Sequence, residues 1–251
     1  MDYYKRSEIS NSDLNYLSLS INHFLNYKQN PKEPTPAMIF GSLVHCLALE
    51  PHNYSNEFCI APKVDRRLKE SKIEVLNEND FEIWKSLNLG KKYISQEQLE
   101  HANILVDVLK SNERYKQIQI SDFEKEIYFT QYDVECRSKL DIIENSTHTI
   151  YDLKTIDNIS DFGIRKSIRN RHYYRQAQFY LNAMNDLENK WHFVFIFIEK
   201  ESPYSIRFVE LSDMFKKGEF EIQECLEKYR LYQFNELDIL GFSNEIEVFE
   251  V

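Results

Sequence analysis

The sequence predicts a mixed α/β domain built around a modest β-sheet. Three β-prone runs, FEKEIYFT, VECRSKLDII and HTIYDLKTI, follow one another and lead into a basic helical region and two further strands. Helical patterns precede and follow this block, an order that is typical of a mixed sheet flanked by helices. The run KWHFVFIFIEK is almost continuously apolar, which predicts a strand covered on both faces.

The length of 251 residues and the hydrophobic content of 42% suit one domain that spans residues 1–251. Within it we expect a mainly helical N-terminal part (1–111), a sheet with a basic helix (122–211), and a C-terminal helix with an acidic tail (212–251). No apolar run reaches the length of a membrane span, and no N-terminal stretch has the pattern of a signal peptide. We therefore expect a cytoplasmic protein without a membrane partner.

Hydrophobic periodicity and breaking residues predict the other elements. SNSDLNYLSLSINHFLNYK predicts an N-terminal helix capped by Ser10 or Ser12, and AMIFGSLVHCLALE predicts an apolar helix that carries His45. The remaining expectations are a short strand in NEFCIAP, a mobile charged loop over 63–79, helices near 79–88 and 95–111, and a last helix from Ser212 or Asp213 to Gln233. The acidic tail after Gln233 is either a strand that docks on a neighbour or a disordered segment.

Charge and cysteine spacing limit the classes of function. The four cysteines form no CxxC pair, which argues against a zinc or iron–sulfur site. The net charge of −10 argues against a general nucleic-acid binder, because phosphate contacts need Lys and Arg. The segment RKSIRNRHYYR, residues 165–175, reverses this balance locally, because it holds five Lys and Arg side chains and no acid.

Acidic side chains fall in register across the three predicted strands. If residues 145–148 close a hairpin, Asp141 lies opposite Asp152, and if residues 132–133 form a turn, Glu124 lies opposite Asp141. Opposed Cβ atoms are about 4.5–5.5 Å apart, so these carboxylates would repel one another unless a cation such as Mg²⁺ or Mn²⁺ bound between them. Alternatively, Asp152 with Lys154 and Glu126 with Lys139 form surface ion pairs on an exposed sheet face.

Five motifs in this order resemble a known nuclease family. The pattern LDII…IYDLKT resembles the PD-(D/E)XK motif, with Leu140 where the family usually has proline. GSLVHCLALEP, APKVDRR, CRSKLD and RQAQFY resemble the further motifs of the RecE-type exonucleases (exodeoxyribonuclease VIII C-terminal domain), enzymes of phage and prophage recombination. The resemblance runs from near the N-terminus to about Leu211. It implies a restriction-endonuclease-like core with a mixed central sheet and an N-terminal helical part.

The resemblance also implies a role for each matching residue. Asp141, Asp152, His45 and the carbonyl of Leu153 would hold the metal, and Lys154 would orient or activate the attacking water. Glu124 would be the further acid, with Glu126 as the competitor, and Gln176 and Tyr180 would brace the site or touch DNA. The basic run would hold the DNA backbone through Arg165, Lys166, Arg169, Arg171 and Arg175. Without the resemblance, His45 and Tyr180 are more simply core residues, Gln176 caps a sheet edge, and the basic run is a solvated helix face.

The implied function is a Mg²⁺-dependent DNA exonuclease, with Mn²⁺ as a substitute, acting 5′→3′ on linear duplex ends to expose single strands for recombination. A ring-like homo-oligomer and a single-strand annealing protein are the implied partners. The alternatives are an endonuclease or single-strand nuclease in defence or repair, a catalytically inactive DNA-binding module, and a structural cation site in a protein that is not a nuclease.

Overall fold

The computed structural model of the protein describes residues 6–65, 67–72, 75–186, 188–211 and 215–234. The helices are α1 Asn11–Leu17, α2 Ile21–Gln29, α3 Pro36–Leu49, α4 Tyr54–Glu57, α5 Glu78–Leu87, α6 Gln96–Ser111, α7 Glu113–Lys116, α8 Asp161–Asn170, α9 Tyr173–Met184 and α10 Phe215–Gln233. The strands are β1 Phe58–Ile60, β2 Lys63–Val64, β3 Val75–Leu76, β4 Lys92–Ile94, β5 Asp122–Gln131, β6 Val134–Glu144, β7 Thr149–Ile156, β8 His192–Glu199 and β9 Ile206–Glu210. No helix among these residues has the length and apolarity to cross a bilayer.

A five-stranded mixed sheet forms the centre of the described fold. Its strand order is β5-β6-β7-β8-β9. The first three strands are antiparallel, β7 and β8 are parallel, and β9 is antiparallel to β8. The parallel connection from β7 to β8 runs through α8 and α9, because parallel neighbours need a long crossover. The predicted mixed α/β class with a central sheet and flanking helices is confirmed.

Strand β8 is covered on both faces, as its continuous apolar sequence predicts. Phe193, Phe195 and Phe197 are buried in the cluster that includes side chains of α8 and α9. Ile196 and Ile198 point to the other face, where α3 and α6 pack. The sheet is therefore the middle layer between two cores, which is the arrangement that excludes water from both sides of its central strands.

Two N-terminal expectations need correction. The first helical pattern forms two helices, α1 and α2, because Ser20 caps α2 by accepting a hydrogen bond from His23 N–H (3.2 Å). The segment 63–79, expected to be a mobile loop, contributes the paired strands β2 and β3 and the start of α5. The expected helix start at Ser212 or Asp213 and the acidic tail beyond Phe234 lie outside the described residues.

The registers of β5–β6 and β6–β7 agree with the sequence prediction. Glu144 pairs with Thr149, and the β6–β7 ladder ends at Ile142 opposite Tyr151. Beyond that pair the two strands separate, and Ile9 fills the vacated side of β6. Its N–H donates to Glu135 O (2.9 Å), and its carbonyl accepts from Arg137 N–H (2.8 Å). The separation opens the sheet at the position of the next register pair, Asp141 and Asp152.

Glu144 closes the β6–β7 hairpin with a buried carboxylate. It accepts hydrogen bonds from Gln119 N–H (3.0 Å), Ser146 Oγ–H (3.2 Å) and Tyr151 Oη–H (2.9 Å). Burial alone would raise the pKa of Glu144, but these bonds outweigh burial and lower it.

We expect Glu144→Gln to lower the free energy of unfolding at pH 7 by about 1 kcal/mol, because the charge-assisted bonds are lost. A lowered pKa in the folded protein stabilises it above the unfolded value, so the difference from wild type should shrink as the pH falls below about 4.5. Urea unfolding at pH 7 and pH 4 measures this difference. A difference that does not depend on pH would contradict the assignment of the ionised form.

Candidate metal and nucleic-acid site

A cleft of about 940 Å³ opens where β6 and β7 separate. Its walls come from α1, α2, α3 and α9 and from strands β5, β6 and β7, and its lining holds both acids and cations. Seven of the eight predicted catalytic and metal-site residues are, in chain order, His45, Glu124, Asp141, Asp152, Leu153, Lys154 and Gln176, and all seven line the cleft. Tyr180 lines the same cleft, so the structure brings all eight together.

Helix α3 places His45 over the open edge of β7. Gly41 lies one turn earlier on the same face, and a Cβ at this position would be 3.7 Å from Thr155 Oγ1, so the helix lies close to the strand. The ring of His45 donates its Nε2–H to the carbonyl of Leu153 (2.6 Å). This bond leaves Nδ1 directed at the carboxylates, the arrangement by which proteins orient a histidine ligand. The same hydrogen bond uses the carbonyl of Leu153. The role of this carbonyl as a metal ligand therefore remains a prediction.

Three side chains form a potential metal-binding cluster: His45, Glu124 and Asp141. Their donor atoms lie within 4.8 Å of one another. His45 Nδ1 is 3.5 Å from Asp141 Oδ2 and 3.9 Å from Glu124 Oε1. One imidazole nitrogen and two carboxylate oxygens fit a divalent cation such as Mn²⁺ or Mg²⁺.

The buried charges of this cluster shift one another's protonation. Burial opposes the charged form of His45, but the carboxylates of Asp141 and Glu124 outweigh it and raise the pKa of His45 to about 9. Burial raises the pKa of the Asp141 carboxyl, although His45 partly counteracts the effect. Asp141 Oδ2 also accepts the N–H of Leu153 (2.8 Å), which fixes the carboxylate at the mouth of the open sheet. Closely spaced acids that perturb one another are a common property of functional sites.

Asp152 lies beside this cluster and is held by two other side chains. It is 1% exposed, its Oδ2 is 2.6 Å from Lys154 Nζ, and its Oδ1 accepts from Gln176 Nε2–H (2.9 Å). Burial disfavours the Lys154 ammonium, but Asp152 outweighs burial and raises the pKa of Lys154. Lys154 also lies over the ring of Tyr173, 5.2 Å from its centroid. The pair is therefore buried in the cleft, unlike the surface ion pair considered from the sequence, and Asp152 stays a prediction as a metal ligand.

Glu124 occupies the site position that the sequence left open between Glu124 and Glu126. Glu124 has a positive φ of 48°, which interrupts the β5–β6 ladder opposite Asp141 and turns its carboxylate into the cleft. Glu126 is exposed and accepts from Tyr128 Oη–H (2.6 Å). Lys139, expected as the surface partner of Glu126, instead contacts Glu124 Oε2 (2.7 Å).

Sequence reasoning gave no site role to Lys139 and Glu50. Lys139 Nζ bridges Glu124 Oε2 and Glu50 Oε2 (3.0 Å), so it holds the Glu124 carboxylate from behind the cluster. Lys139 lies in the motif CRSKLD and Glu50 in the motif LALEP, and this membership was the sequence signal that could have assigned them to the site.

The predicted DNA-contacting residues separate into two groups. Arg165, Lys166 and Arg169 are exposed on α8, and Arg171 lines the cleft. Arg175 is 0% exposed, and its guanidinium contacts Asn15 Oδ1 and Glu221 Oε2, so it cannot contact DNA from this position. The expectation for Arg175 is corrected, because its helix turns it into the α1–α9–α10 core.

The sequence of the chain matches the model of one protein family. The model of the "PDDEXK-like domain of unknown function (DUF3799)" matches residues 10–236. The chain belongs to this family. The PD-(D/E)XK relationship predicted from the motifs is thereby confirmed, whereas the RecE-type assignment stays a prediction. A search of curated proteins gave no match.

One solved structure shows the same fold as this member of the PDDEXK-like family. A "putative exonuclease" from Eubacterium rectale has a TM-score of 0.66 and 12% identity, with 99% of this chain and 93% of that chain covered. A phage-related exonuclease from Haemophilus somnus 129PT has a TM-score of 0.37 and 12% identity, with 61% and 80% covered. The first of these likenesses supports the fold.

The Glu124 position can be tested against its neighbour on the same strand. We expect Glu124→Gln to weaken Mn²⁺ binding at least tenfold, because one of two carboxylates in the cluster loses its charge. Glu126→Gln, which removes an exposed carboxylate outside the cluster, should change the affinity by less than twofold. Isothermal titration calorimetry of both variants measures this, and equal losses would contradict the assignment of Glu124.

Proposed function

We propose that the protein is a metal-dependent nuclease that hydrolyses phosphodiester bonds of DNA. The observation that supports this most directly is the joint placement of the His45–Glu124–Asp141 cluster and the Asp152–Lys154–Gln176 group in one cleft of a PDDEXK-like fold. A binding module has no need of clustered carboxylates facing the phosphates of its ligand, because like charges repel.

His45, Glu124 and Asp141 would hold the cation. A divalent cation in such a site supplies polarisation of a phosphate and a lower pKa for a bound water. The Lys154 ammonium, 2.6 Å from the Asp152 carboxylate, would orient the nucleophile and stabilise negative charge on the phosphate. Gln176 fixes the other oxygen of Asp152, so it positions Asp152 and does not act on the substrate itself.

We further propose that the substrate is the end of linear duplex DNA and that degradation runs 5′→3′ with Mg²⁺, Mn²⁺ being a substitute. This proposal draws on the motif resemblance to RecE-type exonucleases. The ring-like oligomer, the single-strand annealing partner, the role in recombination and the cytoplasmic location remain predictions from the same resemblance.

The test is a time course on linear duplex DNA labelled separately at each 5′ and 3′ end, with Mg²⁺ and with EDTA. Mg²⁺-dependent release of 5′-terminal label first, with covalently closed circles intact, is expected. Cutting of closed circles would replace the exonuclease by an endonuclease. No hydrolysis with Mg²⁺ or Mn²⁺ would overturn the nuclease proposal.

A further inference from the structure

The outer face of α8 carries an aromatic ring and three cations in one stripe. Phe162, Arg165, Lys166 and Arg169 are three or four residues apart and therefore share a side of the helix. All four are exposed, whereas Ile164 on the opposite side is buried in the core.

The cations of this stripe form no ion pair within the described part of the chain, although the charge of Arg165 acts at longer range on the Asp161 carboxylate. No described acid lies within ion-pair distance of Arg165, Lys166 or Arg169. Asp161, the acid of α8, is paired with Arg207 (2.7 Å). In a protein with a net charge of −10, a free positive stripe is a local feature that favours a polyanion.

Phe162 adds a chemical feature that phosphate binding alone does not require. Its side chain is 73% exposed. Single exposed apolar residues are common, but Phe162 stands in line with the free cations. Proteins that bind single-stranded nucleic acid combine aromatic rings, on which bases stack, with cations along the backbone. In a duplex the base faces are already stacked on one another, so this ring favours an unpaired base.

The stripe is also continuous with the cleft. Arg171 directly follows α8 and lines the cleft together with Lys154 and Tyr173. A strand that leaves the cleft past Arg171 therefore meets Arg169 next and Phe162 last, about 10 Å further along the helix.

We propose that α8 is a platform for single-stranded DNA. Phe162 stacks on an unpaired base, and Arg165, Lys166 and Arg169 contact the phosphates of the same strand. The inference deepens the proposed function and rests on it in one respect, since a nuclease acting at a duplex end leaves one strand unpaired beside its cleft.

The experiment compares binding of the full chain to a fluorescein-labelled twenty-nucleotide oligothymidylate and to a duplex of equal length, by anisotropy in EDTA. Phe162→Ala should weaken single-strand binding about tenfold and duplex binding by less than twofold. Phe162→Trp should retain single-strand binding, because the ring is preserved. Phe220→Ala is the matched control, since Phe220 is a 60% exposed phenylalanine on α10, and it should bind like wild type.

The cations have a separate readout. Combined Arg165→Ala, Lys166→Ala and Arg169→Ala should reduce the slope of log affinity against log salt by about 2 for the single strand. Phe162→Ala should leave that slope unchanged. Equal losses on single strand and duplex, or no loss with Phe162→Ala, would overturn the platform. A parallel Mg²⁺-dependent hydrolysis assay keeps the two proposals apart, because single-strand binding is measured without metal and would survive a failure of the nuclease proposal.

Discussion

Replacing Lys154 with alanine is expected to lower the rate of Mg²⁺-dependent DNA hydrolysis by about 10²–10⁴-fold. The reason is geometric: the Lys154 ammonium is held at 2.6 Å by a buried carboxylate and faces the cleft that contains the cation cluster. Because His45, Glu124 and Asp141 are untouched, Mn²⁺ affinity should change far less than the rate. Single-turnover hydrolysis of linear duplex DNA, together with calorimetric Mn²⁺ titration, measures both quantities.

Two variants control for structure and for charge. Lys154→Met keeps the apolar stem of the side chain and should lose activity to the same extent while its thermal unfolding remains cooperative. Lys110→Ala removes an exposed lysine from α6, away from the cleft, and should hydrolyse DNA like wild type. Full activity of Lys154→Ala would show that the cleft does not act in hydrolysis through this residue, and it would favour an inactive DNA-binding module.

Arg175→Ala is expected to be the most destabilising change in the basic run, lowering the free energy of unfolding by about 3 kcal/mol. The guanidinium is buried between three helices and contacts Asn15 on α1 and Glu221 on α10, with Arg175 Nη1 3.7 Å from Glu221 Oε2. Removing the Arg175 side chain leaves a cavity, and it leaves the Glu221 carboxylate without its buried cation. Guanidinium chloride unfolding monitored by circular dichroism measures the loss.

The control for Arg175→Ala is Arg169→Ala, an exposed arginine from the same predicted run, which should unfold within about 0.5 kcal/mol of wild type. Arg175→Met, which fills part of the volume, should lose less stability than the alanine variant. An Arg175→Ala protein with wild-type stability and weakened DNA binding would contradict the burial and restore the role predicted from the sequence.

The strand registers could be predicted because side chains alternate between the two faces of a strand, which leaves few ways to pair neighbouring strands. A slip of one residue would have paired side chains from opposite faces, separating Ile143 from Ile150 in one core and Ile142 from Tyr151 in the other, so the position of Asp141 next to Asp152 followed from the apolar residues around them. The same alternation placed Asp152 and Lys154 on one side of β7. His45 could be proposed only from the motif resemblance, because it lies far from the strands in sequence.

Other parts of the site depend on geometry that a residue pattern does not contain. Glu124 joins His45 and Asp141 because its backbone leaves the regular strand conformation, which alternation cannot indicate. The basic run looks uniform in sequence, yet Arg175 lies on the buried side of a second helix, which starts after the turn at His172. Lys139 was assigned to Glu126 by register, whereas its long side chain reaches Glu124 and Glu50 instead.

The left-handed backbone at Glu124 has a consequence for the evolution of this chain. A glycine would adopt a φ of 48° at less conformational cost than a glutamate, so the carboxylate is kept where the fold alone would favour another residue. Glu124→Gly would relieve this backbone cost, but it would also remove the ion pair with Lys139 and one ligand of the cation cluster. The backbone cost at this position is thus set against the need for a carboxylate in the cation cluster. A library screened only for soluble expression would not select for that carboxylate.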